Sequence, residues 1–325
     1  MVYSVGMSCS ERSVSRVDWR LGVIAGVVLA GCAGAPSRVA PRAAEDDLVE
    51  IAAQTVVLGS PEGEEGRDED EGPLTDIALE RFWVDRTPVT VAQLEARLSE
   101  VLAADPAARV VREDETPSEW VGRCNVGSAR RDHPATCVNV EAARAFCGLR
   151  GMDLPTEAER EAFARGGTRT AYAWGDSFDE TRVVSSAACG ARGCRGSTEP
   201  VVTSGPRCNA LGVCDAAGNV WEWTLTEYAP SHGVHAHLAP GAPRGGVAQL
   251  ERERGGVRDD RATPGTGGGE PPSRAEGASH TERPVIRGAS WLDHEPRLFR
   301  SAMRGLAYPE HGLTHIGFRC VRRGG

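Results

Sequence analysis

The stretch Asp215-Ala-Ala-Gly218-Asn219-Val220-Trp221-Glu222-Trp223 sets two carboxylates around a Gly-Asn bend and two indoles. A hard cation such as Ca²⁺ takes oxygen ligands from side chains and backbone alike, so Asp215, Glu222 and the carbonyls between them form a candidate cation site. Alternate residues of an extended segment share a face, which would seat Trp221 and Trp223 in one core and turn Glu222 the other way. The competing reading is that the tryptophans pack and both acids face water.

Ten cysteines offer a second chemistry. Cys9 and Cys32 fall in an N-terminal leader, and the remaining eight suit disulfides in an oxidising compartment. Cys124 and Cys137 bracket a polar loop, while Cys189/Cys194 and Cys208/Cys214 are short Gly-containing brackets. Four thiolates would also suit Zn²⁺, but gaps wider than the usual two residues favour local disulfides. His232, His235 and His237 could grip a transition metal, against the ordering entropy of the Gly- and Pro-rich stretch that carries them. The acidic run from Glu62 to Glu71 reads as a solvated loop, with a cation trap as the alternative.

The elements that must position these residues follow from pattern. Val49–Ile51 and Thr55–Leu58 are short β-branched runs, and Ile77–Leu79 with Phe82–Val84 alternates as one further strand. Thr90 is an N-cap for a helix from Val91 to Leu98. Residues 99–123 carry little pattern. A helix from Glu141 to Leu149 puts Ala142, Ala145, Phe146 and Leu149 on one face and ends at Gly151. Thr156 and Glu159 form a capping box for another helix. Residues 229–281 shift to Gly, Pro, Ala, Arg and Glu and read as a low-complexity insertion.

At the N terminus, residues 1–31 read as an export signal: arginines precede the apolar run Leu21–Leu29, which is too short to span a bilayer. Leu29-Ala30-Gly31-Cys32 resembles a bacterial lipobox, which would make Cys32 the lipidated first residue of the mature chain. Residues 32–47 suit a tether, and residues 48–323 a single domain. The expected location is extracytoplasmic and lipid-anchored, with the outer membrane preferred because Ala33 and Gly34 supply no acidic retention signal. A net charge of −9 argues against a nucleic-acid partner. Every basic residue is Arg, which excludes lysine chemistry.

Several blocks, in order, resemble the formylglycine-generating enzyme (sulfatase-modifying factor) family. They are Gly59-Ser60-Pro61, Val89-Thr90 with Gln93, His133-Pro134, Leu154-Pro-Thr-Glu-Ala-Glu-Arg160-Glu161, Ala164-Arg-Gly-Gly167, Tyr172-Ala-Trp174-Gly-Asp176, Gly218-Asn-Val-Trp-Glu-Trp223, Arg287-Gly-Ala-Ser-Trp291, Arg300-Ser-Ala-Met-Arg304 and Gly317-Phe-Arg-Cys-Val321. Arg160 stands where the family usually has Trp. The resemblance implies an α+β, C-type-lectin-like fold, loop-rich, with short mixed sheets and two main helices. It also implies a Cys147–Cys320 disulfide, a Ca²⁺ site from Asp215, the Gly218 and Val220 carbonyls and Glu222, and a pocket lined by Trp221, Ser290 and His294.

Catalytic members oxidise a substrate cysteine with copper held by two thiolates after R-G-G-S. Here Asp293 and Leu298 occupy those two places, so copper is not expected, since soft Cu(I) prefers sulfur. The expected role is therefore a calcium-stabilised binding or structural module on a lipid anchor, with an unidentified protein or glycan partner. The alternatives are a formylglycine-generating oxidoreductase with another ligand set and a carbohydrate-binding lectin-like module.

Overall fold

The computed structural model describes residues 47–186, 197–232, 283–310 and 312–324. The export signal, Cys32, nearly all of the tether, Cys189, Cys194, His235, His237 and most of the expected insertion lie outside these residues.

The first strand, β1 (Leu48–Ile51), pairs antiparallel with β4 (Phe82–Asp85), whose other edge pairs antiparallel with β9 (Val321–Arg323). A separate antiparallel pair joins β2 (Gln54–Leu58) to β3 (Thr75–Leu79). Ile77–Leu79 and Phe82–Val84, expected as one strand, thus belong to two sheets. The apolar phase slips by one residue across Glu80-Arg81, and a slip of one turns the following side chains to the other face. The third sheet is mixed and runs in the order β7 (Gly305–Leu306), β6 (Pro284–Arg287), β5 (Trp221–Glu227), β8 (Ile316–Gly317), with β5 antiparallel to β6 and parallel to β8.

Helix α1 (Val91–Glu95) starts at Thr90, whose side chain accepts from Gln93 N while Gln93 Oε1 accepts from Thr90 N at 2.9 Å. It stops short of the expected Leu98. Arg97 leaves helical geometry, donates to the Leu149 carbonyl at 3.0 Å, and opens a second helix, α2 (Leu98–Ala104), in the weakly patterned region. Asn139 caps α3 (Val140–Leu149), and Gly151 follows with φ +67°, in the left-handed region glycine favours.

Helix α4 (Glu157–Arg165) carries the expected Thr156/Glu159 capping box and ends at left-handed Gly166. All nine of its residues are buried, five of them charged. Such a helix can sit inside only if its charges are matched. Glu157 pairs with Arg304, Glu159 with Arg323, Glu161 with Arg287 and Arg165, and Arg160 with Glu222. Around this ionic frame lie two apolar clusters, one built on Trp223, Phe146 and Phe318, the other on Ile51, Phe163 and Val321.

Three disulfides staple the described residues: Cys124–Cys137, Cys147–Cys320 and Cys208–Cys214. The Cys147–Cys320 bridge joins α3 to the residue before β9. The acidic run is not simply solvated. Glu71 is fully buried and grips the equally buried Arg300 with both carboxylate oxygens, while Ser60 Oγ donates to it at 2.7 Å. The start of the expected insertion also belongs to the core: Ala229 and His232 are fully buried, and His232 N donates to the Gly72 carbonyl at 2.9 Å.

Candidate functional site

Two bends meet at the head of the mixed sheet. Gly218 N donates to the Gly288 carbonyl at 2.7 Å and Trp291 N donates to the Asn219 carbonyl at 3.0 Å, clamping the Gly-Asn bend to the turn after β6. That turn passes through positive φ at Gly288 (+107°) and Ala289 (+59°), so the second position holds a side chain where glycine is easier. The result presents Ser290 and Asp293 to Trp221.

Asp293 is the hub. One carboxylate oxygen, Oδ2, accepts from Trp221 Nε1 at 2.9 Å and from Ser290 N and Oγ, each at 2.8 Å. Ser186 fixes its backbone, donating to the Asp293 carbonyl from N at 2.9 Å and from Oγ at 3.1 Å. His315, half-buried, accepts from Trp221 N at its carbonyl, 2.9 Å away. Burial lowers the pKa of the His315 ring, while Asp293 acts in the opposite sense. Three donors on one oxygen fix the Asp293 carboxylate in place near the His315 ring, an arrangement suited to receiving a further hydrogen-bond donor.

These residues do not fit copper held by thiolates. Asp293 offers a hard oxygen already held by three donors, and Leu298, in the turn Pro296–Phe299, packs partly buried against the main apolar cluster. All six cysteines among the described residues are in disulfides. Trp221 and Ser290 come together as expected, whereas His294 is exposed and contributes none of these bonds. Ser186 and His315 were not anticipated. His315 precedes the Ile316-Gly-Phe-Arg-Cys320 ending and could have been suspected from it, but Ser186 had no sequence signal.

Glu222, one of the two charged donors expected for calcium, is committed elsewhere, while Asp215 Oδ1 is buried without a hydrogen bond. Glu222 Oε1 accepts from Arg319 Nη2 at 2.7 Å, and Oε2 accepts from Arg319 Nε at 2.9 Å and lies 2.9 Å from Arg160 Nε. Asp215 Oδ1 lies 3.1 Å from Arg207 Nε, its Oδ2 accepts from Val202 N, and the Gly218 carbonyl accepts from Val220 N at 2.9 Å. Burial, partly offset by Arg207, pushes the Asp215 carboxyl up to about 6. A divalent cation here would sit against two buried guanidinium groups that already neutralise Glu222, with Coulomb repulsion strengthened by burial. With Glu222 so paired, the set Asp215, Gly218, Val220 and Glu222 as placed does not fit Ca²⁺. Among the described residues no cluster of three or more His, Cys, Asp and Glu is placed to hold a metal.

Comparison with known proteins agrees with this architecture. The sulfatase-modifying factor enzyme 1-like domain family matches residues 36–324. A formylglycine-generating enzyme of Mycobacterium tuberculosis is 29% identical over 301 residues, covering 78% of this chain and 91% of the relative. An inactive C-alpha-formylglycine-generating enzyme 2 of Bos taurus is 29% identical over 204 residues, covering 52% of this chain and 66% of the relative. The solved structure of PvdO from Pseudomonas aeruginosa superposes with a TM-score of 0.59 at 26% identity, over 85% of this chain and 93% of the other. The Treponema denticola variable protein 1 shares the fold, with a TM-score of 0.51 at 19% identity, over 85% and 95% of the two chains. The α+β, C-type-lectin-like fold expected from the sequence is the fold observed.

Proposed function

The chain belongs to the sulfatase-modifying factor enzyme 1-like family, and on that premise we propose that it is an exported, lipid-anchored binding module without copper-dependent cysteine-oxidase activity. The observation that carries the reading is Asp293. A carboxylate, held by Trp221 and Ser290, stands at the place where the resemblance calls for a sulfur ligand. Soft copper has no thiolate pair among the described residues to hold it there. Similarity to an inactive C-alpha-formylglycine-generating enzyme 2 of Bos taurus supports this reading. The frame of the chain is held by buried Arg–carboxylate pairs rather than by calcium.

The half-buried Asp293 carboxylate, oriented by Trp221 and Ser290, suits recognition of a ligand bearing hydrogen-bond donors, as an amide or a glycan does. Anchoring rests on the lipobox at Cys32 and the leader before it.

The test is direct. The full chain, purified in detergent, is incubated with Cu(I), oxygen and a C-x-P-x-R peptide, and the peptide is examined by mass spectrometry alongside metal analysis of the protein. An unchanged peptide and copper-free protein are expected. Thiol-to-aldehyde conversion would overturn the reading in favour of a formylglycine-generating oxidoreductase. Metabolic labelling with a fatty-acid analogue, lost in Cys32→Ala, tests the anchor separately.

A further inference from the structure

A cavity lies apart from the Trp221–Ser290–Asp293 site. It encloses about 220 Å³ between α4, the chain from Pro206 to Ala217 and the turn Phe299–Ser301, and none of Trp221, Ser290, Asp293 or His315 lines it. Four arginines do: Arg160, Arg182, Arg207 and Arg300, with no Asp or Glu in the wall.

Two of these guanidinium groups are buried and incompletely bonded. Arg160, 1% exposed, has its Nε 2.9 Å from Glu222 Oε2 without forming a hydrogen bond, and donates from Nη2 to the Ala216 carbonyl at 2.7 Å. Arg300, 2% exposed, gives its two Nη groups to Glu71, and its Nε has no partner. A buried N–H left without a hydrogen bond is costly, more so when charged, so a bound group that accepts from it is favoured. Space has been kept for Arg160. A Cβ at Gly288 would lie 2.4 Å from Arg160 Nη2, so any other residue there would displace the guanidinium.

Each of the four arginines has an acid partner outside the cavity wall: Glu222 for Arg160, Asp179 for Arg182, Glu199 and Asp215 for Arg207, and Glu71 for Arg300. Arg160 and Arg319 share the single carboxylate of Glu222. Burial first, and then the neighbouring guanidinium groups of Arg319 and Arg287, lower the Arg160 pKa to about 10. At the rim, Arg182 lies 5.8 Å over the Trp174 ring, which stacks on Tyr172 at 5.4 Å between centroids. An aromatic wall next to unpaired N–H donors suits a small anion that has a flat or apolar body.

We propose that this cavity binds a small oxyanion-bearing ligand, a carboxylate, sulfate or phosphate group held by Arg160 and Arg300 with Arg182 at the entrance. Guanidinium forks match all three groups geometrically, and charge-assisted hydrogen bonds are the strong kind. Cavity size limits the ligand to a compact molecule. The proposal is independent of whether the Asp293 site is catalytic.

The test uses the full chain in detergent, titrated with inorganic phosphate, sulfate or benzoate against chloride at matched ionic strength, read by tryptophan fluorescence and thermal unfolding. At least one of the three is expected to give a saturable response that chloride does not. The preferred probe separates planar carboxylate from tetrahedral oxyanion recognition. Arg182→Ala, at the partly exposed rim, is expected to weaken binding several-fold without lowering Tm in chloride, and Arg160→Gln to weaken it by about tenfold or more. A response that only grows linearly with salt, as general exclusion of sulfate or phosphate produces, would overturn the proposal. So would saturable binding unchanged in Arg182→Ala.

Discussion

Arg160 Nε lies 2.9 Å from Glu222 Oε2, with both side chains inside the protein. The resemblance called for a tryptophan at the first position and a calcium ligand at the second, and a fixed organic cation has taken up the acid instead. Millimolar Ca²⁺ and EDTA are therefore expected to leave Tm unchanged, since a ligand that stabilises the fold must bind it. Glu222→Gln should cost about 3–5 kcal/mol, because two buried guanidinium groups lose the one carboxylate they share. Thermal unfolding with and without chelator checks both, and a calcium-dependent rise in Tm would contradict the assignment.

Glu71 and Arg300 give a second prediction. Either Glu71→Gln or Arg300→Met alone strands a buried charge and should destabilise by about 3–5 kcal/mol. The double variant should recover a large part of that loss. Equal and additive losses in urea melts would show that the two residues do not act as a pair.

The three disulfides should rank by the length of chain they close. The loop-entropy model gives about 5 kcal/mol for a closure such as Cys147–Cys320, separated by 173 residues, and about 2 kcal/mol for Cys208–Cys214, separated by 6. Serine pairs at each bridge, compared by denaturant midpoint, test the order. A larger loss from the short bridge would point to strain or local packing instead.

Stability should depend on pH through two acids of opposite sign. Burial alone would raise the Glu157 carboxyl, but Arg304, with His232 and Arg287, outweighs it and holds the group well below 4.5. Its contribution is therefore complete above about 4.5 and is lost as pH falls below that. The Asp215 carboxyl is instead pushed up from 3.8 to about 6, so its contribution favours folding at low pH and fades as pH rises through that interval. Glu157→Gln should flatten the acid limb of a stability profile, and Asp215→Asn should remove the decline. Profiles unchanged by either substitution would contradict the signs given.

Much of this fold could be read from local signals. The N-cap at Thr90, the capping box at Thr156, a helix reaching Leu149 and the indole pair on β5 were all legible, because caps and short-period patterns are decided by neighbours in sequence; the Gln93 half of the Thr90 box and the start at Val140 rather than Glu141 were not read. The break between α1 and α2 was not, since Arg97 leaves the helix to meet a carbonyl 52 residues away. Likewise, nothing local says that Glu71 is buried: its partner Arg300 is 229 residues distant and a run of acids looks solvated by composition. The site was half legible. Trp221 and Ser290 followed from motif order, and the loss of sulfur at Asp293 and Leu298 from counting. That Asp293 would gather three donors, and that arginines would take up Glu222, depends on contacts across the whole chain.

Restoring sulfur tests the counting itself. Asp293→Cys with Leu298→Cys is expected to retain Cu(I) where the parent protein does not, measured by metal analysis after dialysis. Failure of a folded double variant to hold copper would mean that the turn Pro296–Phe299 sets these two positions too far apart to share a metal.

The register around β4 bears on how the protein can be handled. Leu48 pairs opposite Asp85, whereas Arg323 pairs opposite Phe82, so the chain enters and leaves this three-stranded sheet at opposite ends of its middle strand. An affinity handle or fluorophore added after residue 324 would project from the side facing away from the point where residue 48 enters.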